Sequence, residues 1–172
     1  MSDSEGFRSC GVHASADDNI SAGRESGPMT PKQHVVLSVG SGVILGGVLR
    51  SWIAGASCCL IGIFIDLDHL FDFWIERGFS LRPSEFFDFC YWGTSRKFYD
   101  LLHGYEFIPL YWLITRLPGK TDLGWGLTVG YTLHLLGDQF FNTHLNRWTY
   151  FFVYRLAHRF DWRVMVLSNP RG

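Results

Sequence analysis

Residues 34–69 read HVVLSVGSGVILGGVLRSWIAGASCCLIGIFIDLDH, and the main physical constraints on this chain start there. Val35 to Leu49 is apolar or small throughout, Arg50-Ser51 interrupts it, and a second such run extends from Trp52 to Ile65. Two helices of this length joined by a tight turn at Arg50 run about 22 Å out and about 22 Å back at 1.5 Å per residue. That register returns Asp66, Asp68 and His69 to the level of His34. The same arithmetic holds downstream. His103 precedes the apolar stretch Phe107 to Leu117, Pro118-Gly119-Lys120-Thr121 reads as a turn, and Gly124 to Leu136 returns to bring His134 level with His103. The expected fold is therefore all-α, a helical bundle of two antiparallel hairpins with added amphipathic helices, associated with a membrane. One added helix is expected from about Pro83 to Tyr91. Another is expected beyond Asn146, where Arg155, Arg159 and Arg163 recur every four residues as a basic stripe.

Chemistry concentrates in His134-Leu-Leu-Gly-Asp138-Gln-Phe-Phe-Asn-Thr-His144. His134 and Asp138 are four residues apart and share one helix face, while His144 lies ten residues past His134 and can fold back from beyond the helix end. Imidazole nitrogen mixed with carboxylate oxygen suits borderline dications such as zinc. The same pair also suits a hydrogen-bonded core histidine beside a helix-end acid. With the two hairpins, the metal candidates are His34, Asp68, His103, His134, Asp138 and His144. Six ligands divide naturally between two metals, with Asp138 bridging. Asp66 is the candidate general base or orienting group, and Glu106, three residues after His103, a second candidate catalytic acid. Residues two apart on a helix face different ways, so one of Asp66 and Asp68 is expected to serve the site while the other solvates the helix end. Asp72 reads as a surface acid.

These motifs resemble those of the inner-membrane metal-dependent hydrolases, sometimes described as LexA-binding. The matching residues are Gln33-His34, Ile65-Asp66-Leu67-Asp68-His69, Leu102-His103-Gly104 and Gly130-Tyr-Thr-Leu-His134-Leu-Leu-Gly-Asp138, spanning roughly Thr30 to Arg147. Ile65 stands where that family usually has Pro, and Gly104 where it has Ser; Asp100 precedes the third motif in place of His-Arg-Gly. The last motif is also similar to that of the zinc-dependent phospholipase C and P1-type nucleases, in which a His-x-x-x-Asp and a later His bind zinc. Carried over, His134, Asp138 and His144 match. The resemblance implies a membrane-associated hydrolase using zinc or a similar dication, with a phosphodiester or phospholipid-like substrate attacked by metal-activated water.

Composition narrows the partners. A net charge of −1 with no basic face argues against nucleic acid. Aromatic residues make up 17% of the chain and cluster at Phe86–Trp92 and Trp148–Tyr154. Such belts suit a membrane interface, and equally a filled aromatic core. Each apolar run falls short of the roughly 20 residues that cross a bilayer singly, so embedding as a hairpin is expected, in the inner or cytoplasmic membrane of a bacterial source. Gly42-x-x-x-Gly46 offers close helix approach. Residues 1–28 are rich in Ser, Gly and Asp, have no apolar segment of signal-peptide type, and read as a disordered tail ahead of a single domain, residues 29–172. The four cysteines form no Cys-x-x-Cys pair, which disfavours a thiolate site. Two other readings stay open: a non-catalytic helical membrane protein with a structural metal, and a regulatory protein recruiting a protein partner through its tail.

Overall fold

The computed structural model describes residues 30–92, 97–143 and 145–167. Among the described residues the chain is all-α, built of eight helices and two short 3-10 turns, with no strand beyond isolated bridges. The expected tail, residues 1–28, and the candidate ligand His144 lie outside the described residues.

Helix α1 (Pro31–Leu49) starts on a capping box: Thr30 accepts from the Gln33 N–H, the Gln33 side chain accepts from the Thr30 N–H, and Pro31 takes the first helical position, where no N–H is needed. It stops at Arg50, which adopts a left-handed conformation (φ 50°, ψ 38°) and donates its N–H to the Gly46 and Gly47 carbonyls. Ser51 then caps α2 (Trp52–Phe64), its hydroxyl accepting from Ala54 N–H. Two residues thus end one helix and begin the next. A 3-10 turn (Ile65–Leu67) links α2 directly to α3 (Asp68–Arg77), so the second apolar run is longer than its sequence boundaries suggest. Lys32–Leu49, at 18 residues, and Trp52–Arg77, at 26, are both long and apolar enough to cross a membrane.

Helix α4 (Pro83–Trp92) lies against α3, with Phe73 edge-on to Phe86 and Phe89. The segment 97–106 then leads into α5 (Phe107–Ile114), and a turn through Gly119 (φ 69°) leads to α6 (Thr121–Phe141). A second 3-10 turn (Arg147–Tyr150), α7 (Phe152–Ala157) and α8 (Trp162–Met165) fold back on the 97–106 segment, where Lys97 bridges to Asp161. The expected basic stripe does not form. Helix α7 ends at Ala157, Arg159 and Phe160 both take positive φ, and Arg155 is fully buried, bonded to backbone carbonyls rather than facing solvent.

Glycines set how the long helices meet. Gly42 and Gly46 of α1 lie against Gly55 of α2: a Cβ on Gly42 would come within 2.7 Å of the Gly55 carbonyl oxygen. On the other side of α2, Gly126 of α6 meets Ala54 and Ser57, and Gly130 meets Cys58 and Ile61. The residue pairing makes α1 antiparallel and α6 parallel to α2. Gly130→Val therefore has no room, because its side chain would overlap the Cys58 carbonyl oxygen. We expect a loss of about 1–3 kcal/mol in chemical unfolding of the purified protein. Gly40→Ala, with nothing within 4 Å of its Cβ position, should be neutral or stabilising on helix propensity.

Polarity is distributed against the usual order. Val36, Val43, Val48 and Trp52 are 72–81% exposed, while His34, Ser38, Ser57, Asp68, Asp72, His134 and Asp138 are buried. The expected surface acid Asp72 is one of these; its carboxylate accepts from the Tyr99 and Asp100 N–H groups and so anchors the 97–106 segment to α3. That role depends on a loop distant in sequence, which residue type alone does not reveal.

Candidate metal centre

At the end of α2 remote from the Arg50 turn, side chains from four parts of the chain converge. Helix α6 supplies His134 and Asp138 from one face, one turn apart. His134 Nε2 lies 3.1 Å from Asp138 Oδ2 and 3.2 Å from Asp66 Oδ1. His34, from the first turn of α1, brings Nε2 to 3.2 Å from Asp138 Oδ1, its ring stacked 4.5 Å from that of His134. His103 enters from the 97–106 segment, with Nε2 at 3.3 Å from His134 Nε2, 3.4 Å from Asp66 Oδ1 and 3.6 Å from Asp138 Oδ2. Ligands held tetrahedrally at about 2.1 Å from a zinc ion stand about 3.4 Å apart. The spacings here have that size.

The far sides of the rings are held as well. His134 Nδ1 lies 2.9 Å from the Gly62 carbonyl, which can only accept, so this nitrogen carries the proton. His103 Nδ1 meets Asp68 Oδ2 at 3.0 Å, and the same oxygen accepts the Leu102 N–H at 2.8 Å. In their neutral forms both rings then turn bare Nε2 lone pairs toward each other and toward two carboxylates. Acceptors facing acceptors repel. A shared cation, or protons on the imidazoles, must sit between them, and this donor set fits a dication.

A second group adjoins the first. His69, Asp66 and His103 have donor atoms close enough to hold an ion together, and His69 Nδ1 is oriented by Asp100 Oδ1 at 2.8 Å. The carboxylate common to both groups is Asp66, where the sequence pointed to Asp138 as the bridge. Asp68, expected among the ligands, meets Nδ1 of His103 and stands outside these two groups, but its carboxylate lies close enough to His69 and Asp100 to hold an ion with them. Asp66 and Asp68 both take part because the His103 ring inserts between them and offers one nitrogen to each. Glu106 is not among the converging groups; its carboxylate accepts the N–H groups of Phe152 and Val153 at the start of α7. Residue type gives neither Asp100 nor Arg155 a part in the centre: Asp100 stands out only as the acid before the third motif, and Arg155 only as one member of a basic stripe.

Burial alone would depress the His103 imidazole, but the Asp68 charge and hydrogen bonds with Asp66 and Asp68 outweigh it and hold its pKa well above the ordinary value. Burial likewise opposes ionisation of Asp100, yet the neighbouring His69 pulls its carboxyl down to about 2. The sign for His103 is that of a raised base. In the metal-free chain its charge contributes stability fully below the unfolded pKa near 6.5, and loses it as pH rises through the higher folded value. A metal competes for the same nitrogen. Uptake at pH 7 should therefore release at least one proton, from His103, and affinity should rise about tenfold per pH unit for each proton displaced. Titration calorimetry in buffers of different ionisation heat measures this; uptake without proton release would remove His103 from the ligand set.

Comparison of the chain with protein families, with curated proteins and with solved structures found no match.

Proposed function

We propose that this chain is a membrane-embedded, metal-dependent hydrolase, with zinc the first candidate metal and a phosphodiester, most naturally a phospholipid-like one, as substrate. The observation that carries the reading is the meeting of three imidazole Nε2 atoms with the Asp66 and Asp138 carboxylates, while the opposite nitrogens of His103 and His134 are hydrogen-bonded elsewhere. A bound dication there supplies a water acidified to a pKa of about 7 and neutralises charge on a phosphoryl group. His34, His134, Asp138, Asp66 and His103 are the holding residues, and His69 adds to a second position beside Asp66. Asp68, Asp100 and the Gly62 carbonyl fix ring orientation, which sustains ligand basicity.

Membrane embedding is supported by two apolar helices of spanning length and by valines facing outward where polar groups face inward. In that setting His34 and Asp66–His69 sit toward one end of the α1–α2 pair, near headgroup depth, which favours a lipid phosphodiester. The motif resemblance to inner-membrane hydrolases points the same way. A competing reading is a closed structural site, favoured by burial: His134 is 2% exposed.

The test uses the full chain. It should fractionate with membranes, require detergent for extraction and carry about one or two equivalents of zinc. Metal-dependent turnover is then sought on phospholipid vesicles and on bis(p-nitrophenyl) phosphate. Stoichiometric metal with no turnover on either favours the structural site. A chain that is metal-free and stays in the soluble fraction refutes both.

A further inference from the structure

Beside the converging ligands lies a small cavity of about 50 Å³, lined by His69, His103 and Asp138 and also by Asn142, Tyr150 and Arg155; Asp100 borders it too. Asn142, Tyr150 and Arg155 have no part in holding the ion. Asn142 Nδ2 donates to Asp138 Oδ1 at 3.4 Å and to the Tyr150 hydroxyl at 3.3 Å. The Tyr150 oxygen accepts there, and among the described residues its own O–H meets no acceptor, although the residue is 4% exposed. Arg155 is fully buried, and its Nε–H likewise has no partner. Buried donors without acceptors are rare because each forfeits its hydration without return. Two of them border one cavity, next to a cluster of ligands.

We infer that this cavity is the oxyanion subsite of the centre, in which Tyr150 donates its O–H to a phosphoryl oxygen of the substrate while Arg155, which also lines the cavity, contributes positive charge. The inference rests on the metal reading, since Asp138, Asp66 and Asp100 would repel an anion unless a dication offsets them. Burial raises the Tyr150 phenol further above its ordinary value, and the Asp138 charge adds to this, so the group stays a donor at any physiological pH. The lining suits a tetrahedral oxyanion better than a neutral ligand, because a hydroxyl donor and cation-holding groups border one cavity and can grip different oxygens of the same phosphorus.

The experiment loads the full chain with cobalt(II) in detergent and titrates inorganic phosphate, following the cobalt visible spectrum. Wild type should give a saturable change, absent when metal is withheld. Tyr150→Phe should take up cobalt with unchanged spectrum and affinity, yet bind phosphate at least about tenfold more weakly, as loss of one hydrogen bond to a charged group predicts. Equal phosphate affinity in the two proteins overturns the role of Tyr150 and leaves the metal reading intact. Cobalt uptake by wild type without any phosphate response overturns the subsite. No cobalt uptake by wild type overturns the metal reading and the subsite together. If Tyr150→Phe fails to fold, zinc-loaded wild type labelled with ¹³C at tyrosine Cζ decides: phosphate must shift a tyrosine resonance, and a spectrum unchanged at saturation refutes the assignment.

Discussion

On the metal reading, His134→Ala and Asp138→Ala are expected to lower metal affinity by more than about 100-fold, to the point where the purified chain comes out empty. Each variant removes a donor from the middle of the cluster, since His134 Nε2 touches Asp66, Asp138 and His103 at 3.1–3.3 Å. Asp68→Asn should be milder, about 10–100-fold, because it alters the group that orients His103 and leaves every converging atom in place. Equilibrium dialysis with elemental analysis measures all three. The ordering matters more than any single value. If the cluster is only a network of protonated imidazoles and carboxylates, wild type itself holds no metal. His134→Ala then acts on stability alone, by taking one imidazole partner each from Asp66 and Asp138 and leaving them to His34 and His103. Equal losses in Asp68→Asn and His134→Ala would instead make Asp68 a ligand and undo the assignment of Asp66.

The largest effect on stability is expected at Arg155. Its guanidinium donates to the carbonyls of His103 at 2.7 Å, Thr149 at 2.6 Å and Asp100 at 2.8 Å, with no exposed surface. Arg155→Met matches the apolar stem and strands the His103 and Thr149 carbonyls, while the Asp100 carbonyl keeps the His103 N–H. Each stranded carbonyl costs about 1–3 kcal/mol, partly offset by removing a buried charge, so a net loss of about 2–4 kcal/mol is expected. Arg155→Lys should recover only part, since an ammonium cannot reproduce the planar fork. Chemical unfolding with both variants tests this. A loss below about 1 kcal/mol for Arg155→Met would mean the carbonyls find other donors.

How much of this could be read beforehand follows from which interactions are local. Arg50-Ser51 was legible as a turn because stopping and capping use the residues' own backbone and side chains. The common level of His34, Asp66, His103 and His134 follows from counting helical rise. Asp66 and Asp68 were harder: the expectation that they face apart assumed an isolated helix, whereas a histidine from a distant segment inserts between them. Asp72 looked like a surface acid because its partners are the N–H groups of Tyr99 and Asp100, far along the chain. Arg155 looked like one member of a stripe because a four-residue recurrence says nothing about where a helix stops. Positive φ at Arg159 and Phe160 ends the helix without the glycine that usually signals such a stop. Local chemistry was visible, and long-range pairing was not.

The Arg155 bonds also impose an order on biosynthesis. The segment bearing Asp100 and His103 is fixed by a guanidinium that the ribosome adds more than fifty residues later. A nascent polypeptide can already have its first two long helices, and even α6, in place while that segment still lacks its clasp. The 97–106 segment therefore gains its clasp only after residue 155 has been made, and a premature stop ahead of it would leave a product with its long helices but with His103 unanchored on that side.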